Sequence, residues 1–226
     1  MKKILFAFAA VLLFLELAAG SDYKTLMKQA AAAAKKKNFE LAQQKYSEAY
    51  GAAGNATEKY QNVIEQAKCL SSLKKLEERK QLLETELRKP EYLPAQKQQM
   101  LLRLASQYLW TRNYDYALDK LNLALSIEGG VDVHSVLYFS LCHHASLIYL
   151  HKKKEYEPII LLMEPLTDLC QYDVNRIVVY TLLASAYAKL NRTEDAVRNY
   201  RAAIMLGKKM KKDTSKLEQE LDNLSK

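Results

Sequence analysis

Small and hydrophobic residues recur along this chain at helical spacing, and the clearest run lies between Leu183 and Leu206. Leu183, Ala184 and Tyr187 share one face of a helix. Asn191-Arg192-Thr193 is polar and marks a turn. Thr193 is expected to cap the helix that follows, with Glu194 and Asp195 in its first turn, where acids suit the macrodipole. Ala196, Tyr200 and Ala203 then recur at i, i+4 and i+7. The pattern predicts two antiparallel helices, with alanines allowing close approach and tyrosines filling the space beside them.

The same order returns twice. Residues 101–125 carry Leu104, Ala105 and Tyr108, then Tyr114, Ala117, Leu121 and Ala124. Near the start, Ala30 is followed by Phe39, Ala42, Tyr46 and Ala49. In all three stretches the alanine steps are 12 and 7 residues. Two weaker copies fill the gaps. One starts at Ala67, with Leu70, Leu76 and Leu83; the other starts at Ala145, with Tyr149, Tyr156 and Met163. The first-helix alanines 30, 67, 105, 145 and 184 are spaced by 37, 38, 40 and 39 residues. Five hairpins are therefore expected, near 22–52, 57–89, 94–128, 132–171 and 174–210.

Punctuation falls between the expected hairpins. Gly51 and Gly54 follow the first, Pro90 and Pro94 the second, and Gly129-Gly130 the third. Pro158 suits a first helical turn, but Pro165 cannot sit inside a helix without a kink, so the fourth hairpin is expected to be irregular. Asp213 can cap a last helix over 213–225 carrying Leu217, Leu221 and Leu224, which would cover the apolar end of the array.

Residues 180–206, 101–125 and 26–50 together resemble the tetratricopeptide repeat, a helix–turn–helix unit of ~34 residues with small and aromatic residues at fixed places. The period here is longer, and helical repeats of ~40–47 residues are the competing fold. The resemblance implies an all-α fold: a right-handed α-α superhelix of about five hairpins with a C-terminal capping helix.

The first 20 residues stand apart. Lys2 and Lys3 precede an unbroken apolar run from Ile4 to Leu15, and Ala18-Ala19-Gly20 supplies small residues before Ser21. That is the layout of a cleaved secretory signal, with an uncleaved anchor as the alternative. An exported location, periplasmic or extracellular, and a repeat domain over 21–226 follow. The chain has 226 residues and a net charge of +8. Cleavage would remove two lysines and one glutamate, leaving +7. Such a balance serves solubility or favours acidic partners.

Composition and motifs point away from chemistry. The chain has no Gly-rich phosphate loop and no G-x-S-x-G elbow. His143 and His144 are adjacent, so they point about 100° apart on a helix, and His144 and His151 are about 10 Å apart along one face. Neither pair readily chelates a metal. Glu77-Glu78 and Glu194-Asp195 belong to solvated helix faces or helix starts. Cys142 and Cys170 should be offset by about 9 Å in an antiparallel pair, beyond disulfide reach, and are expected to be buried thiols. The lysines at 35–37 and 152–154 end first helices, where they oppose the negative helix end. No catalytic residue, cofactor, metal or nucleic acid is expected.

The resemblance also implies a concave face built from first helices. Carried over residue by residue, its groove would present Met27, Ala31, Ala34 and Lys35, then Leu102, Ser106, Leu109 and Trp110. Phe139, Cys142, Ser146 and Tyr149 would follow, and then Val178, Thr181, Ser185 and Lys189. Trp110 and Tyr149 would be the aromatic anchors for a peptide or partner protein in the cell envelope. The Asn, Lys and Arg positions that clamp a partner's C-terminal carboxylate in this family are not reproduced. The expected function is a noncatalytic protein-binding module. A self-assembling envelope component and a small-ligand carrier are the rivals.

Overall fold

The computed structural model describes residues 22–224; the signal-like segment lies outside them. A first helix, α1, covers 22–35. It is followed by α2 (Phe39–Ala52), α3 (Ala56–Ser72), α4 (Leu76–Leu87), α5 (Pro94–Trp110) and α6 (Tyr114–Leu125). Then come α7 (Val136–Ile148), a π turn (Tyr149–Lys153), α8 (Glu157–Met163) and α9 (Leu166–Leu169). α10 (Asp173–Lys189), α11 (Thr193–Lys209) and α12 (Ser215–Asn223) complete the chain. The described residues contain no strand. No described helix is long and apolar enough to cross a membrane.

One backbone device sets the register of all five hairpins. The chain turns at Lys37, Lys74, Arg112, Lys154 and Asn191, each left-handed with φ between 56° and 60°. Behind four of these turns, the next amide donates back to the first helix. The bonds run Asn38 N to Ala33 O, Lys75 N to Leu70 O, Asn113 N to Tyr108 O and Arg192 N to Tyr187 O, at 2.8–3.0 Å. This is the 6→1 closure that satisfies orphan carbonyls at a helix end. Seven residues before those turns stand Ala30, Ala67, Ala105 and Ala184, all at most 1% exposed.

The second helices follow the same count. Five residues after the turns come Ala42, Arg79, Ala117, Ile159 and Ala196. Nine after come Tyr46, Leu83, Leu121, Met163 and Tyr200, and twelve after come Ala49, Glu86, Ala124, Leu166 and Ala203. All fifteen are buried.

The fourth hairpin departs from the expected register. Glu155 N reaches back to Tyr149 O, one residue further than in the other hairpins, because the π turn inserts a residue. The small packing place, three residues before that carbonyl as in the other hairpins, therefore falls on Ser146 rather than Ala145. Ser146 is fully buried, and its Oγ has no partner. Pro165 ends the second helix early: α8 stops at Met163 and α9 restarts at Leu166 for one turn.

Two expected caps shift by a residue. Arg192, not Thr193, is the N-cap of α11, because the left-handed turn at Asn191 starts the helix immediately afterwards. Asp213 precedes the cap of α12, yet its Oδ1 accepts the Ser215 amide at 2.9 Å.

By internal contacts the chain forms two compact units, divided between Met100 and Leu101 within α5. Repeat hairpins touch mainly their neighbours, so such a division is natural where the sequence suggests one domain. In the first unit, α2 packs on α3 and α3 on α4. Ala30, Ala33, Ala42, Tyr46 and Cys69 form one of its cores. Glu86 occupies a buried place that is Ala or Leu in the other four hairpins. It accepts the Tyr50 hydroxyl at 3.0 Å, the Tyr92 hydroxyl and the Lys89 ammonium at 2.8 Å. The 88–93 connection is thereby tied back to the hairpin.

In the second unit, α6 packs on α7, α7 and α10 on α8, and α10 on α11. The core there includes Phe139, Cys142, Ile159, Met163, Leu166, Val179, Leu183 and Tyr187. α12 docks on α11. Gly207 makes this possible, since a Cβ there would lie 2.5 Å from the Thr214 methyl.

Candidate functional site

First-helix positions ten, six and two residues before the turn form the expected binding face. In hairpin one these are Met27, Ala31 and Lys35; in three, Leu102, Ser106 and Trp110; in five, Thr181, Ser185 and Lys189. Each trio rises along one side of its helix, beside the buried alanine. Met27 is half-buried against the Ala30 core, while Ala31 and Lys35 are exposed. Leu102 is half-buried and Ser106 exposed. Trp110 ends α5 with 66% of its surface in solvent. Thr181 and Ser185 are half-buried and Lys189 is exposed.

The hydroxyls on this face are used locally. Ser106 donates to Leu102 O at 2.8 Å, Thr181 to Ile177 O at 2.7 Å and Ser185 to Thr181 O at 2.9 Å. With their protons committed within the helix, they offer only acceptor lone pairs outward. None is set up as a nucleophile.

Hairpin four corrects the expected face. Phe139, Cys142 and Ser146 are buried packing residues, because the inserted π residue rotates them into the core. In the shifted register, His143, Leu147 and His151 take the outward places. His143 stacks on Phe139 at 5.6 Å, and burial together with His144 pulls its pKa below the ordinary value. Tyr149 sits in the π turn, half-buried against the core, and its hydroxyl accepts from Asn122 Nδ2 at 3.4 Å. It is a packing residue before it is an anchor. Hairpin two, for which sequence reasoning named no residues, contributes buried Ile64 and exposed Lys68 and Ser72 at the equivalent places.

The three cysteines are buried free thiols. Burial raises the pKa of each, that of Cys142 to about 12. Among the described residues no group of three or more His, Cys, Asp or Glu side chains could hold a metal ion.

These hairpins define a helical-repeat protein with a tetratricopeptide-like fold. No family model and no curated protein matches the chain. Solved structures do. The MamA protein superposes with a TM-score of 0.61 at 16% identity, over 84% of this chain and 94% of that one. A chain of nearly identical TPR-like repeats from Podosopora anserina gives 0.60 at 12% identity, over 83% of this chain and 95% of that one. At these identities the likeness establishes the all-α repeat fold.

Proposed function

We propose that this chain is an exported, noncatalytic interaction module that holds a partner protein or peptide against the outward face of its first helices. The observation that carries the reading is Trp110, a large aromatic left 66% exposed at an outward place of the repeat register. Exposed tryptophans of this kind are the residues that anchor interfaces. Leu102 and Ser106 continue the same side of α5, and Thr181, Ser185 and Lys189 repeat it on α10. The noncatalytic reading is supported by hydroxyls bonded within their helices and by thiols held neutral by burial. Export rests on the apolar leader and the small residues before Ser21.

Affinity capture from the native cell envelope tests the binding reading, with the parent chain beside a Trp110→Ala variant of equal thermal stability. A protein retained by the parent and lost by the variant supports it; equal retention removes Trp110 from the site. Recovery of nothing but more copies of the chain would favour self-assembly. The export reading is tested by intact mass: a mature chain beginning at Ser21 supports it, and an unprocessed chain found only in the cytoplasm overturns it.

A further inference from the structure

Helix α1 carries a basic face. Lys24, Lys28 and Lys35 are exposed, and at 3.6 residues per turn they fall within about 40° of one another. The buried residues Tyr23, Ala30 and Ala33 lie on the far side of the helix. Asp22 is the only acid between residues 22 and 38, and it lies about 140° round from the lysines. Lys36 and Lys37 follow in the turn, both exposed.

These lysines are treated differently from their neighbours. Among the described residues none of the five pairs with a carboxylate. From α2 to α4, every lysine except Lys74 pairs with a glutamate at 2.5–3.6 Å. Opposition to the negative helix end accounts for Lys35, Lys36 and Lys37, but that effect reaches only the last turn and leaves Lys24 and Lys28 without a structural role.

We propose that this face lies on an anionic lipid surface. Its three helical lysines span about 16 Å in a straight line along the helix. They are flexible point charges, with no arginine fork beside them to grip a single carboxylate or phosphate. Between Lys28 and Lys35 that side shows only the small, exposed Ala31 and Ala32, with no groove for a defined peptide and no ring for a base. A flat, continuous layer of phosphate headgroups matches such a stripe, and each lysine close to it adds attraction. The sequence brings that layer near. The apolar run Ile4–Leu15 ends seven residues before Asp22, a reach of about 23 Å in extended chain, so a bilayer that takes up the run has α1 within reach of its headgroups. Lys35 is shared with the outward places of hairpin one, but nothing in this contact uses Trp110, so it goes beyond the proposed partner site and stands or falls separately.

The test is flotation of the full chain with vesicles of phosphatidylglycerol and phosphatidylcholine in equal parts, beside vesicles of phosphatidylcholine alone. The leader is common to every arm, so the comparison between variants isolates α1. The parent is expected to bind the anionic vesicles at least about tenfold more tightly, and to release them as salt rises. Lys24→Gln, Lys28→Gln and Lys35→Gln together should weaken binding to the anionic vesicles about tenfold or more, while arginine at the same three places should preserve it. Lys45→Gln, Lys59→Gln and Lys80→Gln together remove the same charge from paired lysines and should leave binding near that of the parent. Trp110→Ala should bind as the parent does. The proposal is overturned if anionic and neutral vesicles bind alike, if the two glutamine triples behave alike, or if Trp110→Ala abolishes binding. It is also overturned if soluble polyglutamate binds the parent as tightly as the anionic vesicles do, which would make the face a site for an acidic protein.

Discussion

Gly207→Ala offers a sharp test of how the last helix docks. In most helix interiors this change adds about 1 kcal/mol of stability, because alanine loses less backbone entropy on folding. Here the new Cβ would meet the Thr214 methyl at 2.5 Å. Thr214 is 7% exposed, and its hydroxyl donates to Glu218 Oε1 at 3.0 Å, so rotating it away breaks that bond. Overpacking of this kind costs about 1–3 kcal/mol, enough to cancel or reverse the propensity gain. Removing the methyl by Thr214→Ser relieves the crowding. The serine change alone should cost about 1 kcal/mol for the lost buried methyl. In the Gly207→Ala background it should instead restore stability. Urea unfolding followed by circular dichroism on all four chains gives the coupling, expected at about 2 kcal/mol. A Gly207→Ala chain stabilised by about 1 kcal/mol, or a cycle additive within about 0.5 kcal/mol, would refute the close approach.

Other substitutions probe the repeat register and the site. Ser146→Ala should raise stability by about 1 kcal/mol in thermal unfolding, since it removes a fully buried hydroxyl that has no partner. Glu86→Ala should lower it by about 2–3 kcal/mol and raise amide exchange in the 88–93 connection, because Tyr50, Tyr92 and Lys89 lose their shared acceptor. Trp110→Ala should change the melting free energy by less than about 0.5 kcal/mol, as expected for an exposed side chain outside the core. The thiols should react with a disulfide reagent only as fast as the chain opens. For Cys142 the folded pKa is raised from 9.0 to about 12, so its contribution to stability is whole below pH 9 and is lost as pH rises toward 12. Denaturation midpoints measured between neutral and strongly alkaline pH check that sign.

The periodic pattern of alanines, leucines and tyrosines by itself determined the helical hairpins and the repeat fold. The reason is local: each regular copy shows its buried face in a few residues at 3.6-residue spacing, and its turn in the polar residues between. The exposed Trp110 and the lysines ending the first helices were likewise legible, since they stand at fixed distances from the packing alanines.

Only tertiary structure decided the two irregular copies. In hairpin two, the charged residues Arg79 and Glu86 stand at register places that hold Ala, Ile or Leu in the other hairpins. They are buried, and Glu86 belongs there because Tyr50, six residues before the start of α3, and Tyr92, in the connection after α4, arrive from elsewhere in the chain to satisfy it. In hairpin four, the small residues Ala145 and Ser146 are equivalent to any periodic count. The π turn that selects Ser146, turning Cys142 inward and His143 outward, is a helical insertion with no local composition to announce it. The surface beside Pro165 follows the same rule: the proline announced a break, but the residues that line the cleft there come from α9, α10 and α11, whose convergence is a property of packing rather than of any one stretch of chain.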